Sequence, residues 1–201
     1  MRRLMLVGIA AMVTTVLAVA PSAFGQSVGG CQLQGTASFS PGLNANAQNF
    51  KYSFGGSLSG CQSSVSGTPS SGTVSAGNLI SIAGEQFQQP VPSGNGSCSN
   101  STTSGTAIIT WSDGTQTVVQ YSTTGAAAAV NLQGTVVASV TFPAVNPQPG
   151  QPTSTTVTTT RYAGDSAGGL LAFQPPDPTA CNTPGGVTSA GISGLVSLQG
   201  S

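Results

Sequence analysis

The sequence predicts an all-β fold: an antiparallel β-sandwich of jelly-roll type, with about eight to ten short strands and two disulfides. Three observations carry this. Val, Ile and Leu recur in short runs of period two, broken every few residues by Gly, Pro, Asn and Ser. No apolar stripe of helical period occurs after the first 25 residues. Four cysteines, Cys31, Cys61, Cys98 and Cys181, stand in a chain that reads as exported.

The export signal comes first along the chain. Arg2 and Arg3 form a basic start, Leu4 to Ala20 is almost wholly apolar, and Pro21 ends the run. Ala23-Phe24-Gly25 places small residues three before and one before a cut ahead of Gln26. Residues 1–25 are therefore expected to be a signal peptide, and 26–201 one secreted β-sandwich domain. The apolar run sits at the lower edge of the roughly 17 residues that span a bilayer, so an uncleaved anchor is the alternative. Val28-Gly29-Gly30-Cys31 loosely matches a lipid-attachment box, but Pro21 to Gly30 separates it from the apolar run. No later run is long enough to span a bilayer, so no membrane association is expected after cleavage.

The strands follow in order. Cys31, Leu33, Ala37 and Phe39 alternate with Gln32, Gln34, Thr36 and Ser38. Ser40 to Asn49 reads as a loop turning at Pro41-Gly42. Phe50 to Leu58 returns with Phe50, Tyr52, Phe54 and Leu58 on one face. If these two runs form a hairpin, Cys61 comes back beside Cys31, within disulfide reach. Of three possible pairings, Cys31–Cys61 is then favoured, and Cys98–Cys181 follows by elimination. Cys61 falls on the polar face, so a bulge at Gly55-Gly56 or an end to regular pairing at Gly60 is required.

Gly72 to Ala83 reads as one strand with Val74, Ile80 and Ile82 in phase, and Gln88 to Thr103 as a loop around Cys98. Ala107 to Tyr121 reads as a hairpin, with Asp113-Gly114 at the centre of a type I′ turn and Ile109 opposite Val118. Apolar residues on both faces place that pair inside a sheet. Ala126 to Leu132, and Thr135 to Phe142 with Val136, Ala138, Val140 and Phe142 inward, come next. A Thr-rich strand spans Thr153 to Tyr162, Leu170 to Phe173 follows, and Ile192, Val196 and Leu198 mark a last strand.

Composition then excludes whole classes of function. Only 4% of the chain is charged, against about 25% in an ordinary domain. After cleavage the only basic residues are Lys51 and Arg161, too few to displace counterions from phosphates, so no nucleic-acid partner is expected. Histidine is absent, which removes Ser-His-Asp and Cys-His catalysis. The cysteine spacing is not that of a zinc site, so neither metal nor cofactor is expected.

Candidate chemistry is left to the carboxylates Glu85, Asp113, Asp165 and Asp177, the minimum equipment for glycoside hydrolysis. Each has a plainer reading. Asp113 suits a hairpin turn, Asp177 sits between prolines, Asp165 in Gly164-Asp165-Ser166 suits a turn and a partnership with Arg161, and Glu85 leaves a strand. Tyr52, within the Phe50-Tyr52-Phe54 ladder, and Trp111 are the possible ligand contacts, by stacking on sugar rings if exposed. Buried in the core they would have no such role. Asn95-Gly-Ser97 and Asn100-Ser-Thr102 match the N-glycosylation pattern.

Gly30 to Leu43, Phe54 to Cys61 and Thr106 to Gly114 resemble segments of small secreted β-rich proteins of actinomycete-type bacteria, for which no activity is established. The resemblance implies export and a β fold. In composition alone the chain also resembles pilus and spore-coat subunits, although Leu195 to Ser201 lacks the closing aromatic of a pilin. The expectation is a secreted, non-enzymatic extracellular or surface protein that acts by binding or assembly. Its partner would be cell-wall or extracellular polysaccharide, or further copies of itself. A carbohydrate-binding module, a coat or pilus subunit and a carboxylate glycoside hydrolase are the alternatives.

Overall fold

The computed structural model describes residues 27–63 and 66–200; the signal peptide expected at 1–25 lies outside them. The described chain is all-β, with thirteen strands and one short 3-10 turn. In order the strands are β1 (Ser27–Leu43), β2 (Gln48–Gln62), β3 (Gly72–Ala76), β4 (Leu79–Ile82), β5 (Glu85–Gln88), β6 (Ser93–Gly96) and β7 (Asn100–Trp111). There follow β8 (Gln116–Ala126), β9 (Ala129–Val137), β10 (Ser139–Pro143), β11 (Ser154–Thr158) and β12 (Ser166–Gln174), then the 3-10 turn Pro178–Asn182 and β13 (Val187–Gln199).

Instead of two stacked sheets, the strands close into an eight-position antiparallel barrel. The order runs β1-β13-β12-β9-β8-β7-β3-β2 and returns to β1, which also pairs with β2. Alternation and turn spacing are the same in a sandwich and in a barrel. What decides between them is the pairing of the first and last described strands, from Ser27↔Gln199 to Leu43↔Val187. Neighbours in the barrel follow chain order, so the closure is up-and-down rather than jelly-roll.

One wall position is filled twice. β3 pairs with β2 and β7 from Gly72 to Ala76, and β6 then takes the same place higher up, at Gln48–Lys51 of β2 and Ser101–Ser104 of β7. The chain leaves the wall at Gly77 and returns at Pro92. Gly72–Ala83 is therefore two strands, and Gln88–Thr103 is largely strand rather than loop. The detour carries the hairpin β4–β5 to the outside, where a bridge from Phe87 to Ala144 joins it to the hairpin β10–β11. Together they cover the outward side chains Ile108 and Val118 in a second core with Phe87, Phe142 and Val157. This explains the apolar residues on both faces of β7 and β8. It also sends Val140 and Phe142 to that outer core, while Val136 stays in the barrel.

Two local corrections concern turns. Thr110 pairs with Gln116 and Ile109 with Thr117, one residue out of the expected register. Trp111 N–H donates to the Thr115 carbonyl and Gly114 N–H to that of Trp111, while Gly114 has φ +82°. This is a three-residue loop, a type I turn followed by a glycine bulge, in place of the two-residue type I′ turn. Likewise β1 runs on through Pro41 to Leu43, so the expected loop shrinks to residues 44–47.

The disulfides sit at opposite rims. Cys31–Cys61 joins the start of β1 to the end of β2, with Cα atoms 4.1 Å apart. Gly30 pairs with Gln62 and Gln32 with Ser59, so Gly60 and Cys61 together oppose Cys31. The bulge that turns Cys61 inward is thus at Gly60 (φ +58°), while Gly55 and Gly56 stay in regular pairing. Cys98–Cys181 ties the β6–β7 turn to the 3-10 turn across the upper rim.

The aromatic ladder is accommodated by missing side chains opposite it. A Cβ on Gly35 would lie 2.5 Å from the Phe54 ring and 2.6 Å from the Gly55 carbonyl, and one on Gly94 would lie 2.7 Å from Phe50. At Gly60 nothing stands within 4 Å of such an atom.

Two stability experiments follow. Closing 83 rather than 30 residues makes Cys98–Cys181 the stronger constraint on the unfolded chain, by about 1 kcal/mol on the loop-entropy scale. Urea unfolding of the two paired Cys→Ser variants should rank them in that order, each losing roughly 2–5 kcal/mol. Gly35→Ala should cost about 2–3 kcal/mol through overpacking, against about 1 kcal/mol of backbone strain for Gly60→Ala. Equal losses would mean that Phe54 does not occupy the space over Gly35.

Candidate functional site

A barrel of eight strands has an interior that its own side chains can just fill, or that can keep room for a small ligand. Here the rims are filled and the middle is not. At the lower rim Trp111 packs edge-to-face on Tyr162, 5.5 Å between centroids, and its Nε1 donates to Thr117 Oγ1 at 2.8 Å. Thr117 Oγ1 in turn donates to the Arg161 carbonyl, which fixes the segment between β11 and β12 beneath the barrel. At the upper rim Phe50, Leu43, Val187 and Ala190 are buried with Phe39 and Phe173 around them, under the Cys98–Cys181 bridge.

Between these plugs lies a cavity of about 170 Å³. Leu132 and Ile192 pack against the barrel core yet keep part of their surface free. Every lining side chain is uncharged and about two thirds are hydrocarbon. An engineered hole of about 150 Å³ with such walls stays dry and takes up benzene. The space therefore suits a small apolar molecule.

Thr68, Ser101, Tyr162 and Ser197 add scattered hydroxyls to this lining, and four further hydroxyls form one connected chain. Tyr52 and Tyr121, from β2 and β8, share a hydrogen bond of 2.8 Å. The Tyr52 hydroxyl also meets Thr103 Oγ1 at 3.0 Å, and Thr103 meets Thr123 Oγ1 at 2.8 Å. Burial pushes both phenols above their usual range, strongly for Tyr121, where the neighbouring Tyr52 adds to the effect. Both rings are neutral at neutral pH. Strand alternation puts all four hydroxyls on inward faces. Of these four residues only Tyr52 stands out in the sequence, and Tyr121 and Thr103 become visible only when β2, β7 and β8 are brought round the barrel.

The other sequence candidates are scattered. Trp111 is 4% exposed and belongs to the lower plug, and Tyr52 points inward, so neither ring offers a sugar-stacking surface on the outside. Asp113 accepts from Thr115 N and Oγ1, and its Oδ2 lies 2.7 Å from Arg161 Nη2. Those hydroxyl and amide bonds, then Arg161, hold its carboxyl below the usual range. Arg161 is thus the partner of Asp113 and not of Asp165, because the type I turn aims Asp113 at it. Asp165 is raised by partial burial, and Asp177 is lowered by capping the 3-10 turn through Thr179. Glu85 opens β5 in the outer hairpin. No hydrogen bond or ion pair joins any two of these carboxylates among the described residues. Nor do any three His, Cys, Asp or Glu residues cluster there as metal ligands would. No helix among the described residues is long and apolar enough to cross a membrane.

No family model, no curated protein and no solved structure matches this chain.

Proposed function

We propose that this is a secreted, non-enzymatic binding protein that holds a small hydrophobic molecule inside its barrel. The observation that carries the reading is the uncharged cavity of about 170 Å³ between two packed rims. A well-packed interior leaves few voids larger than a water molecule, and each one costs stability. A void of this size across the middle of a disulfide-closed barrel is better explained by an occupant than by loose packing. Export is supported by the leader at residues 1–25 and by two disulfides, which persist in oxidising compartments. The absence of histidine supports binding rather than catalysis.

Ethylbenzene is a suitable first probe. Binding to the folded state alone, at ten times Kd, stabilises by about 1.4 kcal/mol, a rise of roughly 3–5 °C in Tm for a domain of this length. Leu132→Trp, which grows a side chain into the cavity, should abolish the rise while leaving the Tm of the free protein nearly unchanged. If the middle of the barrel is instead a filled core, ethylbenzene will have no effect. Leu132→Trp will then cost about 1–3 kcal/mol from overpacking, and the proposal fails.

A further inference from the structure

The chain of hydroxyls specifies the occupant more closely than the apolar walls do. Tyr121, Tyr52, Thr103 and Thr123 bring four O–H protons to three mutual contacts. Each contact uses one proton, so one is left over however the chain is oriented. No other hydrogen bond of these four hydroxyls is made to a described residue, and all four line the cavity. The spare donor therefore faces the space that the occupant fills. A buried donor left unmet costs about 1–3 kcal/mol, so an occupant that accepts from it is favoured over one that cannot.

The same lining sets the occupant's charge. No Lys, Arg, Asp or Glu reaches the cavity, and the two phenols stay protonated. An ion would enter without a counter-charge, at a cost that one neutral hydrogen bond does not offset. Building on the binding reading above, we infer that the barrel selects small, neutral, mostly apolar molecules carrying a single hydrogen-bond acceptor, such as the carbonyl of a ketone, aldehyde or ester. Tyr52, Tyr121, Thr103 and Thr123 form the subsite that takes that oxygen. Hydrocarbons of the same shape bind in the same space but more weakly relative to their hydrophobicity.

Ethylbenzene and acetophenone share a shape and differ in CH₂ against C=O, and benzoate adds a charge. Titration calorimetry with all three should be run on the wild-type chain and on the near-isosteric variant Tyr52→Phe/Thr103→Val/Tyr121→Phe/Thr123→Val. A neutral hydrogen bond is worth about 0.5–1.5 kcal/mol net, so acetophenone should lose roughly three- to tenfold in affinity relative to ethylbenzene in the variant. Benzoate should bind at least tenfold more weakly than acetophenone to the wild type. The infrared carbonyl stretch of bound acetophenone gives a second readout that needs no variant. It should lie below its position in an alkane solvent. An unshifted stretch, an unchanged ratio of the two affinities, or benzoate binding as tightly as acetophenone overturns the inference. Uptake of ethylbenzene under those outcomes leaves the cavity as a plain hydrophobic site. Uptake of neither neutral probe removes both readings.

Discussion

The structure depends on one closure, the pairing of β1 with β2 along one edge and with β13 along the other. β1 is the first described strand and β13 the last, so their ladder joins residues about as far apart in the chain as the fold allows. Without it the remaining strands would form an open meander with two exposed edges and a solvated concave face. With it, every inward side chain faces a shared interior, and the rims become the only places where that interior needs plugging. The two disulfides lie at those rims, and Cys31–Cys61 secures the other pairing of β1.

Closure also explains the distribution of glycine. In a sandwich the large inward residues interleave across a core about 10 Å thick. In a barrel the curved wall instead turns the inward side chains of neighbouring strands toward one another, so Phe50 and Phe54 need small residues beside them. Gly35 and Gly94 supply the missing volume against Phe54 and Phe50. The same economy of side chains has a second consequence in the middle of the barrel, where glycine and small residues leave space that no ring fills. The cavity and the tight aromatic rims follow from one pattern of large against absent side chains.

Much of the fold was legible in the sequence where period two was unbroken. β1 from Cys31 to Phe39, β2 from Phe50 to Leu58, and the hairpin around Asp113-Gly114 all announce themselves by alternation and turn residues. The need for an irregularity near Gly60 followed from the parity of Cys61. What alternation cannot report is which layer an inward face belongs to. Val74 and Ile80 share a phase, yet one faces the barrel and the other the outer core, because the chain leaves the wall at Gly77 between them. β6 escaped notice because Ser-Gly-Asn-Gly has no apolar signal, and it is a strand only because β2 and β7 offer it hydrogen bonds on both sides. The site was less legible still. Tyr52 stood out in its ladder, but its partners lie 51 and 69 residues away, and only barrel closure brings them together.

Stability and the proposed binding thus fall to different parts of the molecule. Apolar burial is shared by the barrel core, where Leu58 and Val136 are buried, the upper rim, and the outer core, where Phe142 and Val118 are wholly buried. Cavity-lining side chains that stay partly free, such as Leu132 and Ile192, contribute less to folding, since part of their surface meets empty space rather than neighbours. A region that bears little of the folding free energy can change its shape or its polar groups without unfolding the protein. The hydroxyl chain occupies that region. An apolar residue at each of its four positions would satisfy the barrel equally well on packing grounds, because replacing both partners of a buried hydrogen bond is nearly neutral. Folding therefore does not account for the hydroxyls, whereas the proposed ligand, accepting their unused proton, would.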